Sequence, residues 1–176
     1  MTPAGLGGWA QASLVALRTL IGWHFLYEGY FKLVQPAWSA AGAPLPPWSS
    51  AGFLRAASGP FAPAFRSLAE SSWLATIDAA IPIALVAIGL MLMLGVFTQV
   101  ACVGALGLLL TFYAAAIPMS GLPEPRAEGA YLIVNKTLVE AGAVLVVLAC
   151  RTGRIAGLDR WRVGRAVVTP AAGGLS

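Results

Sequence analysis

Long apolar runs dominate this chain, and they are separated by short polar or proline-rich segments. A hydrocarbon core of ~30 Å is crossed by ~20 helical residues, and four runs reach that length. These runs are residues 11–34, 73–96, 98–118 and 129–150. The pattern predicts an all-α integral membrane protein built as a bundle of four transmembrane helices.

The segments between the runs differ greatly in length. Because so few residues separate the second run from the third, we expect these two helices to form an antiparallel hairpin. Residues 35–72 form a long loop after the first run. Residues 50–58 and 61–74 of that loop have apolar residues at roughly helical spacing, which favours two short amphipathic helices on the membrane surface. An irregular loop is the alternative.

Composition supports the membrane class and suggests an orientation. The chain of 176 residues is 59% hydrophobic and 10% charged, whereas soluble domains carry roughly 25% charged residues. Five of the 11 Lys and Arg residues lie in the last 26 positions. Cytoplasmic segments are enriched in these residues. We therefore predict a multi-pass protein of the cell (inner) membrane, with both termini in the cytoplasm.

This orientation sets the predicted surroundings of each segment. The loop 35–72 and the turn 119–128 would face outward, residues 1–162 would form one membrane domain, and residues 163–176 would be a flexible cytoplasmic tail. The lipid bilayer is the expected partner. Nucleic acid is not expected, because the chain has no soluble domain to present a basic surface.

The first run carries polar residues on one helical face. They are Arg18, His24, Glu28 and Lys32. At ~100° per residue these side chains fall within an arc of ~120°. Charged groups in a membrane are costly, and they persist where they face a partner or serve a function. This face is therefore the first candidate for a functional site.

Polar residues of the other runs fall at matching depths. With a rise of ~1.5 Å per residue, one group lies ~8–10 Å below the outer face and a second group lies ~15 Å below it. The shallow group is Glu28, Asp78, Tyr113, Asn135 and Lys136, and the deep group is His24 and Glu140. Lys32 lies nearest the outer surface. We expect four helices to contribute to one outward-facing polar pocket.

The side-chain chemistry suggests separate roles within this pocket. His24, Glu28 and Glu140 are the candidate catalytic residues, because they can hold and transfer protons. The candidate substrate-binding residues are Lys32, Lys136, Asn135, Asp78 and Tyr113. With three acids and two lysines, one carboxylate is unbalanced unless it holds a proton or His24 is protonated.

Other interpretations of the same residues stay open. A polar stripe can simply hold membrane helices together, and Asp78 can satisfy backbone groups freed by Pro82. Arg18 can extend toward the membrane surface or contact a lipid phosphate. No metal site is expected, since the chain has a single histidine. Cys102 and Cys150 form no C-x-x-C motif, so disulfide chemistry is not expected either.

Several segments resemble the DoxX family of membrane proteins. Residues 18–29, RTLIGWHFLYEG, with Lys32 after them, are similar to the first span of that family. Residues 94–98, LGVFT, match its short hairpin. Residues 131–140, YLIVNKTLVE, and residues 152–160, TGRIAGLDR, resemble its last span and cytoplasmic exit. The resemblance covers residues 10–162.

The resemblance implies a function as well as a fold. The family includes the DoxD-like membrane subunit of a thiosulfate:quinone oxidoreductase, which converts thiosulfate to tetrathionate and passes electrons to quinone. It therefore implies a quinone as cofactor and a redox partner subunit. The alternative function is a non-catalytic scaffold or assembly partner of a redox or detoxification complex, or a small-solute carrier. A homo-oligomer is compatible with either function.

Overall fold

The structure is a computed structural model that describes residues 6–34, 47–117 and 133–159. This part of the chain is mostly helical and contains no β-strand, only an isolated bridge between Ser58 and Ala116. The elements are α1 Gly8–Val34, α2 Ala51–Arg55, α3 Ala62–Ala69, α4 Leu74–Leu94, α5 Thr98–Ala115, α6 Lys136–Ala149 and a 3-10 helix Thr152–Arg154. The predicted helical class is confirmed for the described residues.

Two of these helices, α4 and α5, are long and apolar enough to cross a membrane. They contain 21 and 18 residues, which corresponds to about 32 and 27 Å at ~1.5 Å per residue. They follow each other directly, and the turn between them contains Gly95 in a left-handed conformation with φ +64°. Four membrane-crossing helices, as predicted from the sequence, stay a prediction.

The fourth predicted run begins too early. Residues 133–135 are not helical and α6 begins at Lys136, while residues 129–132 lie outside the described part. The side chain of Asn135 accepts a hydrogen bond from the backbone N–H of Leu138 at 3.0 Å. An asparagine in this position satisfies a free donor of the first turn and so sets the start of the helix.

The third predicted run extends too far at its other end. α5 ends at Ala115, and residues 116 and 117 are not helical. The backbone N–H of Ser58 donates to the Ala115 carbonyl at 2.9 Å. A hydrogen bond from another segment therefore ties this helix end to the loop after the first run.

Short helices form within both segments predicted to be amphipathic, although each is shorter than expected. α2 and α3 pack against each other, and Ala57, Ala62 and Ala115 form a small buried cluster with Phe65 at its edge. Residues 35–46 of the same loop lie outside the described part. The described part of the loop after the first run is thus attached to the end of α5.

Glycines allow α1 and α4 to lie unusually close. A Cβ atom placed on Gly22 would lie 2.9 Å from the backbone nitrogen of Met93, and one on Gly29 would lie 2.8 Å from the Pro82 carbonyl. Real Cβ atoms do not approach backbone this closely. Small residues at such contacts let helix backbones touch, which is a common way to pack helices in membranes.

The four longest helices surround one apolar core. α1 packs on α4, α4 on α5, α5 on α6 and α6 on α1. Each contributes a side chain that is at most 1% exposed: Phe25, Leu92, Cys102 and Val144. This arrangement brings the polar faces of α1 and α6 side by side.

Candidate functional site

The contact between α1 and α6 joins two of the predicted proton-handling residues. His24 Nε2 of α1 lies 3.7 Å from Glu140 Oε2 of α6. The Glu140 side chain is 19% exposed, whereas that of His24 is 53% exposed. The pair therefore links an accessible imidazole with a largely buried carboxylate.

A second pair lies one turn closer to the end of α1. Lys32 Nζ forms an ion pair with Glu28 Oε2 four residues earlier. The same nitrogen lies 5.7 Å from the centre of the Trp48 ring, a distance at which a cation is attracted to an aromatic face. Trp48 lies just before α2, so the described part of this loop reaches the same end of α1.

Lys136 connects the two pairs. It is the first residue of α6, and its charge interacts with both Glu28 and Glu140. The two carboxylates also interact with each other. We call these five residues, His24, Glu28, Lys32, Lys136 and Glu140, the acid–base cluster.

The charge of the acid–base cluster differs from the sequence expectation. Two acids are matched by two lysines, because the third expected acid, Asp78, is held elsewhere. Oδ1 of Asp78 accepts hydrogen bonds from the backbone N–H and the hydroxyl of Ser50, at 2.7 and 2.5 Å. Ser50 is buried, so Asp78 anchors the start of α2 to α4.

Two further predicted residues also make structural contacts. The Tyr113 hydroxyl donates to the Ile133 carbonyl at 2.7 Å, which ties the end of α5 to the segment before α6. Asn135 caps α6 as described above. Within the described part of the chain, the hydrogen bonds of Asp78, Tyr113 and Asn135 lead to other segments and not to the acid–base cluster, and the convergence of four helices on one pocket stays a prediction. A substrate-binding role for Asp78, Tyr113 and Asn135 stays a prediction.

An aromatic ladder runs beside the acid–base cluster on α1. It consists of Trp23, Tyr27 and Phe31, each of which directly precedes a residue of the acid–base cluster. Neighbouring ring centres are 6.4 and 6.3 Å apart, with interplanar angles of 26° and 20°. All three side chains are exposed. The spacing of four residues between these aromatic residues was the available sequence signal for a stacked row.

Within the described residues, no group of three or more His, Cys, Asp and Glu side chains is placed to hold a metal ion. The polar atoms of the acid–base cluster are instead suited to binding anions and to holding or transferring protons. Its two lysines supply positive charge, and the His24–Glu140 pair supplies a base and an acid close together.

The N-terminal half of α1 belongs to a polar junction that the residue pattern did not reveal. Arg18 is only 3% exposed, and its Nη1 donates to the Thr152 carbonyl at 3.1 Å. It also attracts the carboxylate of Asp159. The expectation that Arg18 extends to the surface or meets a lipid phosphate is therefore wrong, because its guanidinium is used inside the protein.

Asp159 completes this junction. Its two carboxylate oxygens accept from the backbone N–H groups of Phe97 and Thr98, at 2.8 and 2.9 Å. Its own N–H donates to the Gly95 carbonyl at 2.9 Å. A lone acid in an arginine-rich segment was the sequence signal for such a role. We call Arg18, Gly95, Thr152 and Asp159 the turn junction.

No family model, no curated protein and no solved structure matches this chain. A function has therefore to be inferred from the geometry of its own residues.

Proposed function

We propose that the chain is a DoxX-like multi-pass membrane protein that acts as the membrane subunit of a quinone-linked redox system. The acid–base cluster is the observation that carries this proposal. Five ionisable side chains meet at the contact of two helices in a chain with few charged residues. Groups of this kind within apolar helices commonly mark proton or substrate paths.

The packing supports four membrane-crossing helices. α4 and α5 have suitable length and composition, α1 lies along α4, and α6 packs against α5 and α1. The 27 residues of α1 span about 40 Å at ~1.5 Å per residue, more than a hydrocarbon core needs. With the arginine-rich C-terminus in the cytoplasm, the acid–base cluster lies toward the outer face.

The residues of the acid–base cluster would handle protons. Quinone reduction takes up two protons together with two electrons. Glu140 and His24 are close enough to exchange a proton through one water. His24 is exposed and would exchange that proton with the outside, and the positive charge of Lys136 acts on Glu140.

A quinone fits the surroundings of the cluster. The aromatic ladder offers flat, exposed rings for stacking, and the imidazole of His24 and the ammonium group of Lys32 offer hydrogen-bond donors beside it. When bound, a quinone would supply the electron-accepting group that amino-acid side chains lack. Lys32 and Lys136 would also attract an anionic sulfur compound such as thiosulfate, and this compound or a partner subunit would supply the electrons.

The test is thiosulfate-dependent reduction of a soluble quinone analogue by membranes containing the full chain. We expect Glu140→Gln and Lys136→Ala to lower the rate at least tenfold at an unchanged amount of folded protein. Glu70→Gln is the matched control, because Glu70 is an exposed acid at the end of α3. Full activity in both cluster variants would remove these residues from the mechanism.

A second candidate function is a non-catalytic scaffold or assembly partner. It is favoured by the structural contacts of Asp78, Tyr113 and Asn135, which show that polar residues at this end of the protein hold segments together. A scaffold predicts that cluster variants change thermal stability or retention of a co-purifying partner, with no associated redox activity. The same variants therefore separate the two functions.

A further inference from the structure

A cleft opens at the beginning of α5, at the end of the molecule opposite the acid–base cluster. Its volume is about 270 Å³, and it is lined by residues 97–100 and by Arg151, Gly153, Arg154 and Asp159. Both arginine side chains are exposed to solvent. The proposed redox function makes no use of this cleft.

The walls of the cleft offer several donors to a ligand. Asp159 occupies the backbone N–H groups of Phe97 and Thr98. The next two N–H groups, of Gln99 and Val100, have no acceptor among the described residues. The first N–H groups of a helix lack partners within the helix and carry partial positive charge. The partial positive charges of these N–H groups and the charges of the two guanidinium groups together exceed the negative charge of the single carboxylate in the cleft.

A buried hydroxyl independently points to a ligand. Thr98 is 1% exposed, and its Oγ1 has no hydrogen-bond partner within the described part of the chain. Two other threonines of the long helices, Thr19 and Thr111, bond to the carbonyl four residues earlier. For Thr98 that carbonyl belongs to Leu94 and already accepts from Leu158. A hydroxyl buried without a partner is costly.

The position of this hydroxyl places it at the cleft wall. A Cβ atom on Gly153 would collide with Thr98 Oγ1, and both residues line the cleft. The Gly153 backbone therefore packs directly against the unpaired oxygen, at the wall of the cleft.

We infer that this cleft binds a phosphate group through Arg151, Arg154, the Thr98 hydroxyl and the first free N–H groups of α5. Planar guanidinium groups and helix N-termini both suit phosphate oxygens. The exposed apolar side chains of Phe97 and Val100 border the cleft and would contact acyl chains. We therefore assign the phosphate to the headgroup of an anionic phospholipid. A soluble phosphate would present the same oxygen acceptors, and the experiment below separates the two.

The experiment uses the purified full chain in a neutral detergent. Phosphatidylglycerol and, separately, inorganic phosphate are titrated, and binding is followed by native mass spectrometry and by the thermal unfolding midpoint. We expect saturable binding that weakens about tenfold or more in Arg151→Gln and in Arg154→Gln, as expected for loss of a charge-assisted hydrogen bond. Arg55→Gln, which changes an exposed arginine of α2, should bind as the unaltered chain does.

Thr98→Val provides a second readout of opposite sign. Removal of an unpaired buried hydroxyl should raise the unfolding midpoint without ligand, while the gain in midpoint on adding ligand should shrink. Saturation by phosphatidylglycerol alone assigns the site to a lipid headgroup, and saturation by inorganic phosphate assigns it to a soluble ligand. If neither probe saturates, or if both arginine variants bind as tightly as Arg55→Gln, the inference is wrong.

Discussion

The two halves of α1 use charge in contrasting ways. In the C-terminal half, the acid–base cluster pairs side chains with each other, and His24 and Glu28 are each about half exposed. In the N-terminal half, Arg18 is buried and bonds to backbone, and Asp159 bonds to the first amides of α5. Side chains tied to backbone hold a fold in place, whereas side chains paired mainly with each other remain able to change partners or protons.

This difference predicts that the turn junction controls stability and that the acid–base cluster controls activity. The largest effect is expected for Arg18→Leu. It removes the hydrogen bond from Arg18 to the Thr152 carbonyl and the buried charge that balances Asp159, so we expect a loss of about 3–5 kcal/mol in the free energy of unfolding. Denaturant unfolding of the purified chain measures this change. An Arg18→Leu protein as stable as Arg55→Gln would contradict the structural role.

A smaller loss is expected for Asp159→Ala. Two N–H groups at the start of α5 lose their acceptor, an effect comparable to removing a helix cap, which costs about 1–2 kcal/mol. The matched control is Glu70→Gln, an exposed acid outside the junction. Hydrogen exchange of the Phe97 and Thr98 amides should also become faster, and unchanged exchange would show that the carboxylate does not hold these groups.

A variant of the Asp78–Ser50 contact tests whether the end of the molecule that holds the acid–base cluster also contains a structural anchor. Ser50→Ala removes one of the two hydrogen bonds to Asp78 and should cost about 1 kcal/mol. Because the anchor joins α2 to α4, limited proteolysis near α2 should become faster while redox activity is unchanged. Ser67→Ala, which changes an exposed serine of α3 whose hydroxyl donates only to the Ala64 carbonyl, is the control. Loss of activity in Ser50→Ala alone would instead draw Asp78 into the functional site.

The smallest effect on stability is expected within the acid–base cluster itself. His24→Asn breaks a pair whose histidine is 53% exposed, and such pairs contribute about 0–1 kcal/mol. The unfolding midpoint should therefore change little, while quinone reduction falls. A large loss of stability together with normal turnover would show that the acid–base cluster controls stability and not activity. That result would favour the scaffold function.

The helical part of the fold could be predicted from residue pattern alone. The apolar runs of α4 and α5 are continuous, and Gly95 marks the turn between them, so their positions depend on local chemistry and length. The grouping of His24, Glu28 and Lys32 on one face follows from helical periodicity in the same way. The pairing of Glu140 with this face also agrees with its estimated depth.

The ends of helices and the partners of single polar residues could not be predicted in this way. α6 begins later than the hydropathy pattern suggests, because Asn135 caps it. The cap depends on one side-chain hydrogen bond, which a hydropathy averaged over many residues does not register. Asp78 and Tyr113 lie at suitable depths for a shared pocket, yet each bonds to a segment that folds over the ends of the helices. Depth gives a position along a helix axis, but it does not give the direction of a side chain around that axis.

The sequence by itself determined that this chain is helical, strongly apolar and polar along one face of its first helix. These properties follow from residue spacing and transfer free energy, which act locally along the chain. Only the tertiary structure decided that Arg18 is buried beside Asp159 and that the acid–base cluster belongs to α1 and α6. Those contacts join residues more than a hundred positions apart, and they exist because α1 packs against α4 and α6.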